Sequence, residues 1–182
     1  MNIRSCIHSI KRNHKPYIAG AVPIVNGSFL TPTRGTNGYN GIWDDRYGPG
    51  VGIPGWTLTG NSILLGNGVT AFVQFPLPYT QYLVITLNNT TNVTISQNID
   101  ISITGLHTVT FYTAARLAFG YCDTQCSFNG KVVAIATTTD NVWTKTSLVV
   151  DIPTVGTYPL AFLFSGGEQR QISITNIELN RF

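Results

Sequence analysis

Residues 93–103 read VTISQNIDISI. Val93, Ile95, Gln97, Ile99, Ile101 and Ile103 occupy alternate positions, and Thr, Ser, Asn and Asp fill the gaps. An extended chain turns successive side chains to opposite faces, so this spacing predicts a strand with one buried face and one wet face. A helix would scatter the same apolar residues around its circumference.

The pattern recurs on both sides. LHTVTFYTAAR at 106–116 predicts a long strand with Val109 and Phe111 inward, and TYPLAFLFSG at 157–166 places Tyr158, Leu160, Phe162 and Phe164 on one face. QYLVITL at 81–87, KVVAIATT at 131–138 and VWTKTSLVVDI at 142–152 read as further strands, and VNGSF at 25–29 as a short one. TLTGNSILLGNGVTAFVQF at 57–75 divides into short strands at Gly60-Asn61 and Asn67-Gly68, and Asn129-Gly130 sets a turn after Phe128. In QISITNIELNRF the parity switches between Ile172, Ile174 and Ile177, Leu179. A single β-bulge near Thr175 or Asn176 brings all four to the core. Nine or ten strands at short spacing, with no helical stretch, predict an all-β antiparallel sandwich or barrel.

Composition agrees. Of 182 residues, 43% are hydrophobic but only 10% are charged, well below the usual quarter. Thr, Asn, Ser and Gly take the place of charge, and they favour strands and turns. The net charge of +3 is uneven: Arg4, Lys11, Arg12 and Lys15 precede the first acid, Asp44. The expected organisation is a basic arm over residues 1–20 and one domain over 21–182, with the arm set to touch nucleic acid, an anionic surface or an acidic neighbour subunit, or to remain solvated. No signal peptide and no membrane-spanning run is legible, so the expected location is a virus particle if the source is viral, and otherwise a cell exterior reached by an unusual route.

IPGW at 53–56 sets a corner under Trp56. Its ring serves either as a core cornerstone, the favoured reading, or as a ligand platform. Residues 31–55, with seven glycines and three prolines, read as one long loop. That loop holds the first candidate ligand-binding group: Tyr39, Trp43, Asp44, Asp45, Arg46 and Tyr47. The second lies around Tyr121, Asp123, Gln125 and Phe128. Aromatic rings stack on sugar faces while Asp, Asn and Arg bond hydroxyls, although the same rings also pack loops onto a core.

Cys122 and Cys126 bracket CDTQC, read as a loop that a small disulfide closes in an oxidising compartment. No metal site or cofactor is expected; Cys6, His8 and His14 match no standard metal-ligand spacing. Asp44 and Asp45 are adjacent and do not face each other as a glycosidase pair must, and His107 shares parity with Val109 and Phe111 as a buried histidine does. Enzymatic chemistry is therefore not expected.

The ordered set NGSF (26–29), IPGW (53–56), QYLVI (81–85), ISQNIDI (95–101), GLHTVTFYTAAR (105–116), NGKVVA (129–134), GTYPLAFLFSG (156–166) and ISITNIEL (172–179) resembles the galactose-binding-domain-like jelly rolls. These include carbohydrate-binding modules and domains of large-virus and phage particles. The resemblance covers about residues 25–180 and implies a jelly-roll sandwich. It also implies a structural calcium held by acids near two places where this chain has Leu30 and Thr175, so the usual calcium site is expected to be absent or degraded. The leading functional expectation is a non-catalytic structural subunit of a virus particle, with other subunits as partners. The alternative is a carbohydrate-binding module for cell-surface or cell-wall glycans.

Overall fold

The computed structural model describes residues 21–22, 24–30, 39–43, 53–59, 63–67, 81–87, 92–115, 121–167 and 170–182. They contain twelve strands and no helix: β1 (Ala21–Val22), β2 (Tyr39–Trp43), β3 (Thr57–Thr59), β4 (Ile63–Asn67), β5 (Gln81–Leu87), β6 (Val93–Ile101), β7 (Gly105–Ala115), β8 (Cys122–Phe128), β9 (Lys131–Thr138), β10 (Thr144–Ile152), β11 (Gly156–Gly166) and β12 (Arg170–Arg181). One sheet runs β10-β7-β12-β5-β4-β2, with β1 beside the far end of β12. The other runs β3-β6-β11-β8-β9. All pairings are antiparallel.

The alternation that predicted β6 is what fills the space between the sheets. Val93, Ile95, Gln97, Ile99 and Ile101 are buried, while Ile103 lies past the strand end and is exposed. Tyr158, Leu160, Phe162 and Phe164 of β11 join them in the core, with Val109 and Phe111 of β7 on the opposite sheet. Phe111 meets Phe162 edge-on at 5.0 Å, a favoured aromatic geometry. In β12 the register slips between Thr175 and Glu178, and Ile172, Ile174, Ile177 and Leu179 are all buried. The bulge is where the parity switch placed it.

Trp56 is the cornerstone. Only 6% of it is exposed; its ring packs on Phe29 and Phe162, and its Nε1 donates to the Asn26 carbonyl at 3.2 Å. Burial of such a ring contributes roughly 3 kcal/mol. Its neighbour in space, VNGSF, is not a strand. Residues 25–28 form a turn, with φ of 53° at Asn26 and 54° at Phe29, closed by the Phe29 N–H to the Asn26 carbonyl. A bulky residue in the left-handed region is costly, and the complete burial of the Phe29 ring offsets it. Gly27 sits against β12, where a Cβ would lie 2.1 Å from the Ile177 carbonyl oxygen, and its own carbonyl accepts from Ile177 N. Ser28 Oγ donates to Asn176 Oδ1 at 3.2 Å.

Gln97 ties these turns together. Its Nε2 donates to the carbonyls of Val25 (2.9 Å) and Gly55 (2.7 Å), and its Oε1 accepts from Val25 N (2.9 Å). A polar residue on the buried face of β6 thus finds every partner among backbone groups that neither sheet satisfies. The motifs NGSF, IPGW and ISQ, and the bulge of ITNIEL, meet at one corner of the sandwich.

Three other expectations need correction. The long glycine-rich loop holds a strand, β2, paired with β4. CDTQC is not a loop but most of β8, hydrogen-bonded on both sides. Cys122 and Cys126 are consequently free thiols, both buried. Four residues of extended chain separate their Cα atoms by about 13 Å, twice what a disulfide spans.

Candidate functional site

The alternation that buries Cys122, Thr124 and Cys126 turns Asp123, Gln125 and Ser127 to the outer face of the five-stranded sheet. Tyr121, just before β8, continues that parity and is 54% exposed. Three residues of the second predicted group, Tyr121, Asp123 and Gln125, therefore stand in line, about 6.6 Å apart along the chain direction. Phe128, named with them, belongs to the inner face, where it stacks on Tyr158 at 5.5 Å.

Neighbouring strands complete the face. Register sets Asp123 between Ser165 of β11 and Thr137 of β9, and Gln125 between Leu163 and Ile135. Leu163 lies opposite Thr94 of β6. Thr137 Oγ1 donates to Asp123 Oδ1 at 2.6 Å, which fixes the carboxylate and leaves its other oxygen to accept. The Tyr121 ring is held by Arg170, whose guanidinium carbon lies 4.6 Å from the ring centroid while Nη1 donates to the Tyr121 carbonyl. Arg170 comes from the start of β12, 49 residues away in sequence. No local signal marks it, because its role depends on how two strand ends meet.

The result is a shallow shelf: an oriented aromatic ring at one end, then a carboxylate, an amide and hydroxyls in rows, with aliphatic Leu163 and Ile135 between them. Such a surface can stack on an apolar ring face and exchange hydrogen bonds with hydroxyl groups. The thiols beneath it do not take part. Burial pushes Cys126 up to about 12 and Cys122 up to about 11; for Cys122 Arg170 opposes that rise and Asp123 adds to it.

The first predicted group is not assembled by the described residues. Tyr39 and Trp43 lie at the ends of β2, which among the described strands pairs with β4 alone, Trp43 registering with Ile63 and Tyr39 with Gly66. Asp44, Asp45, Arg46 and Tyr47 lie outside the described residues, as do the arm residues Arg4, Lys11, Arg12 and Lys15 and the group Cys6, His8 and His14. His107 is fully buried, with Nδ1 2.9 Å from the Gly105 carbonyl. Of the two calcium-related positions, Leu30 is exposed and Thr175 is buried in β12. No cluster of three or more His, Cys, Asp or Glu is present among the described residues.

No family model matches the chain, and no curated protein sequence matches it. Solved structures do. A family 61 carbohydrate-binding module, determined with β-1,4-galactotriose, superposes with a TM-score of 0.54 at 13% identity, over 71% of this chain and 90% of that one. The CBM22-1 xylan-binding domain of Paenibacillus barcinonensis Xyn10C gives 0.50 at 17% identity, over 69% and 84%. The enzymatically active domain of bacteriophage CBA120 tailspike protein 4 gives 0.50 at 18% identity; the match takes in 75% of this chain but only 20% of the tailspike. Two antiparallel sheets enclosing one core, in an arrangement that these modules share, give the chain the galactose-binding-domain-like jelly-roll β-sandwich fold of the carbohydrate-binding modules.

Proposed function

We propose that the chain is a non-catalytic carbohydrate-binding module that takes neutral glycans on the outer face of its five-stranded sheet. The observation that carries this is the line Tyr121, Asp123, Gln125 on one exposed face, with the ring fixed by Arg170. Tyr121 is the stacking platform; Asp123 accepts from sugar hydroxyls, and Gln125 both donates and accepts. A ring locked in place before binding loses less freedom when the ligand arrives. The likeness to a galactotriose-bound module and a xylan-binding domain supports the same reading. It reverses the order suggested by the sequence, which put a particle subunit first.

The particle reading keeps one supporting observation, the likeness to part of a phage tailspike. A glycan-binding module carried on a particle reconciles the two, with the basic arm as its attachment to an acidic neighbour. A glycan array followed by calorimetric titration of galacto- and xylo-oligosaccharides tests the proposal. Binding that Tyr121→Ala weakens at least about tenfold, the value of one lost ring contact, is the expected result. Binding unaffected by Tyr121→Ala but abolished by Trp43→Ala would move the site to β2. No binding to any sugar on the array would refute the proposal.

A further inference from the structure

β11 ends at Gly166 in the five-stranded sheet, and β12 begins at Arg170 in the other. Gly166 registers with Cys122 and Arg170 with Leu87, so the chain changes sheets beside Tyr121. Two glycines open that connection. The described glycines with a left-handed φ are Gly55, Gly105, Gly130 and Gly156; Gly166 and Gly167 are not among them. Backbone conformation therefore does not call for glycine at 167, and the position is exposed. Space does call for it. The three heavy atoms nearest to a Cβ built on Gly167 all belong to Arg170: Nε at 2.7 Å, Nη2 at 3.0 Å and Cζ at 3.2 Å. A Cβ on Gly166 would meet Arg170 Cδ at 3.1 Å, Leu87 Cδ1 at 3.2 Å and the Tyr121 carbonyl oxygen at 3.4 Å.

We propose that Gly167 is a positioning residue for the Tyr121 platform: the space left by its missing side chain seats the Arg170 guanidinium. The edge formed by Nε and Nη2 lies against the bare Gly167 backbone. The remaining nitrogen, Nη1, donates to the Tyr121 carbonyl, and Cζ lies 4.6 Å from the ring centroid. The guanidinium is planar and rigid. It cannot yield at Nε and Nη2 without drawing Nη1 and Cζ away from Tyr121. A single methyl group at 167 thus unseats the cation from both its carbonyl and its ring. The long Arg170 side chain swings clear at little cost in stability, whereas a methyl at 166 would press on the buried Leu87 as well. Position 167 therefore controls the clamp without supporting the core. With the clamp gone, the ring regains the freedom that it must lose again when a ligand stacks on it. The effect on sugars rests on the reading of this shelf as a glycan site; the seating of Arg170 does not.

Gly167→Ala, Arg170→Ala and the double variant, made in the full chain, test the proposal by two readouts. The first needs no ligand: the side-chain Nε–H signal of Arg170 in ¹⁵N NMR, assigned by its loss in R170A. A seated guanidinium gives a rigid signal, and G167A should convert it to that of a freely moving arginine, with Tm within about 2 °C of wild type. The second is calorimetric titration with galacto- and xylo-oligosaccharides. G167A and R170A should each weaken binding about fivefold, and G167A should change it less than about twofold in the R170A background, because the methyl acts only through the arginine. A rigid Arg170 signal retained in G167A overturns the proposal. So does wild-type sugar affinity in a G167A chain whose Arg170 has come loose, or a G167A loss that persists in full without Arg170. If no sugar binds even the wild-type chain, the proposed function fails, and the NMR readout alone decides whether Gly167 seats the clamp.

Discussion

Replacing Gln97 with leucine tests the account of the sandwich corner directly. Leucine keeps most of the volume and removes both halves of the amide. The Val25 carbonyl, the Gly55 carbonyl and the Val25 N–H then lose their partners. A stranded buried polar group costs about 1–3 kcal/mol. Val25 and Gly55 lie on exposed turns that water can partly reach, so the lower half of that range applies to each. The sum over the three groups is about 3–6 kcal/mol, a drop of roughly 6–24 °C in Tm for a chain of this size. Urea denaturation followed by tryptophan fluorescence measures it, with Trp56 as a reporter at the same corner. A loss below about 0.5 kcal/mol would show that water replaces the amide and that Gln97 does not hold the turns. The acid variant Gln97→Glu sharpens the test. The introduced carboxyl would face two carbonyl oxygens from a buried position, which raises its folded-state pKa above the unfolded value near 4.3. The folded state then binds more protons than the unfolded one, so Q97E gains stability relative to wild type as pH falls from 7 to 4.

Gly27→Ala should cost roughly 3 kcal/mol or more, because the new Cβ cannot coexist with the Ile177 carbonyl oxygen at 2.1 Å. Gly130→Ala, at φ +74° with open space around it, should cost only about 1 kcal/mol, and denaturation of the pair separates steric exclusion from backbone strain. The buried thiols should resist Ellman's reagent in the native chain at pH 8 and react fully in denaturant. Because their folded pKa values are raised from 9.0 to about 11 and 12, their contribution to stability is complete below pH 9 and is lost as pH rises through those values. Cys126→Ala should flatten that alkaline decline in a pH-dependent melt. At the shelf, Asp123→Ala and Gln125→Ala should each weaken glycan binding severalfold by titration while shifting Tm by less than about 2 °C, since both side chains stand on a wet face.

Residues 93–101, 105–115 and 156–166 announced themselves because a strand with one buried face must alternate, and that requirement is local. The same logic placed the bulge of β12 and put Trp56 inside. It failed where conformation depends on something distant. VNGSF looks like a strand, yet Phe29 takes a left-handed φ because a cavity beside Trp56 receives its ring. CDTQC looks like a loop closed by cysteines, yet β9 and β11 pair with it on either side and draw it straight.

The candidate shelf divides along the same line. Sequence supplied Tyr121, Asp123 and Gln125 as residue types suited to sugars, at a spacing of two. Only the neighbouring strands made that spacing a shared face, set Thr137 against the carboxylate and brought Arg170 to the ring. A chain fixes its own periodicity through the side chains it must bury. Which strands become neighbours, and so which polar groups stand together, is decided by burial between segments far apart in sequence, and the period of any one of them carries no record of that choice.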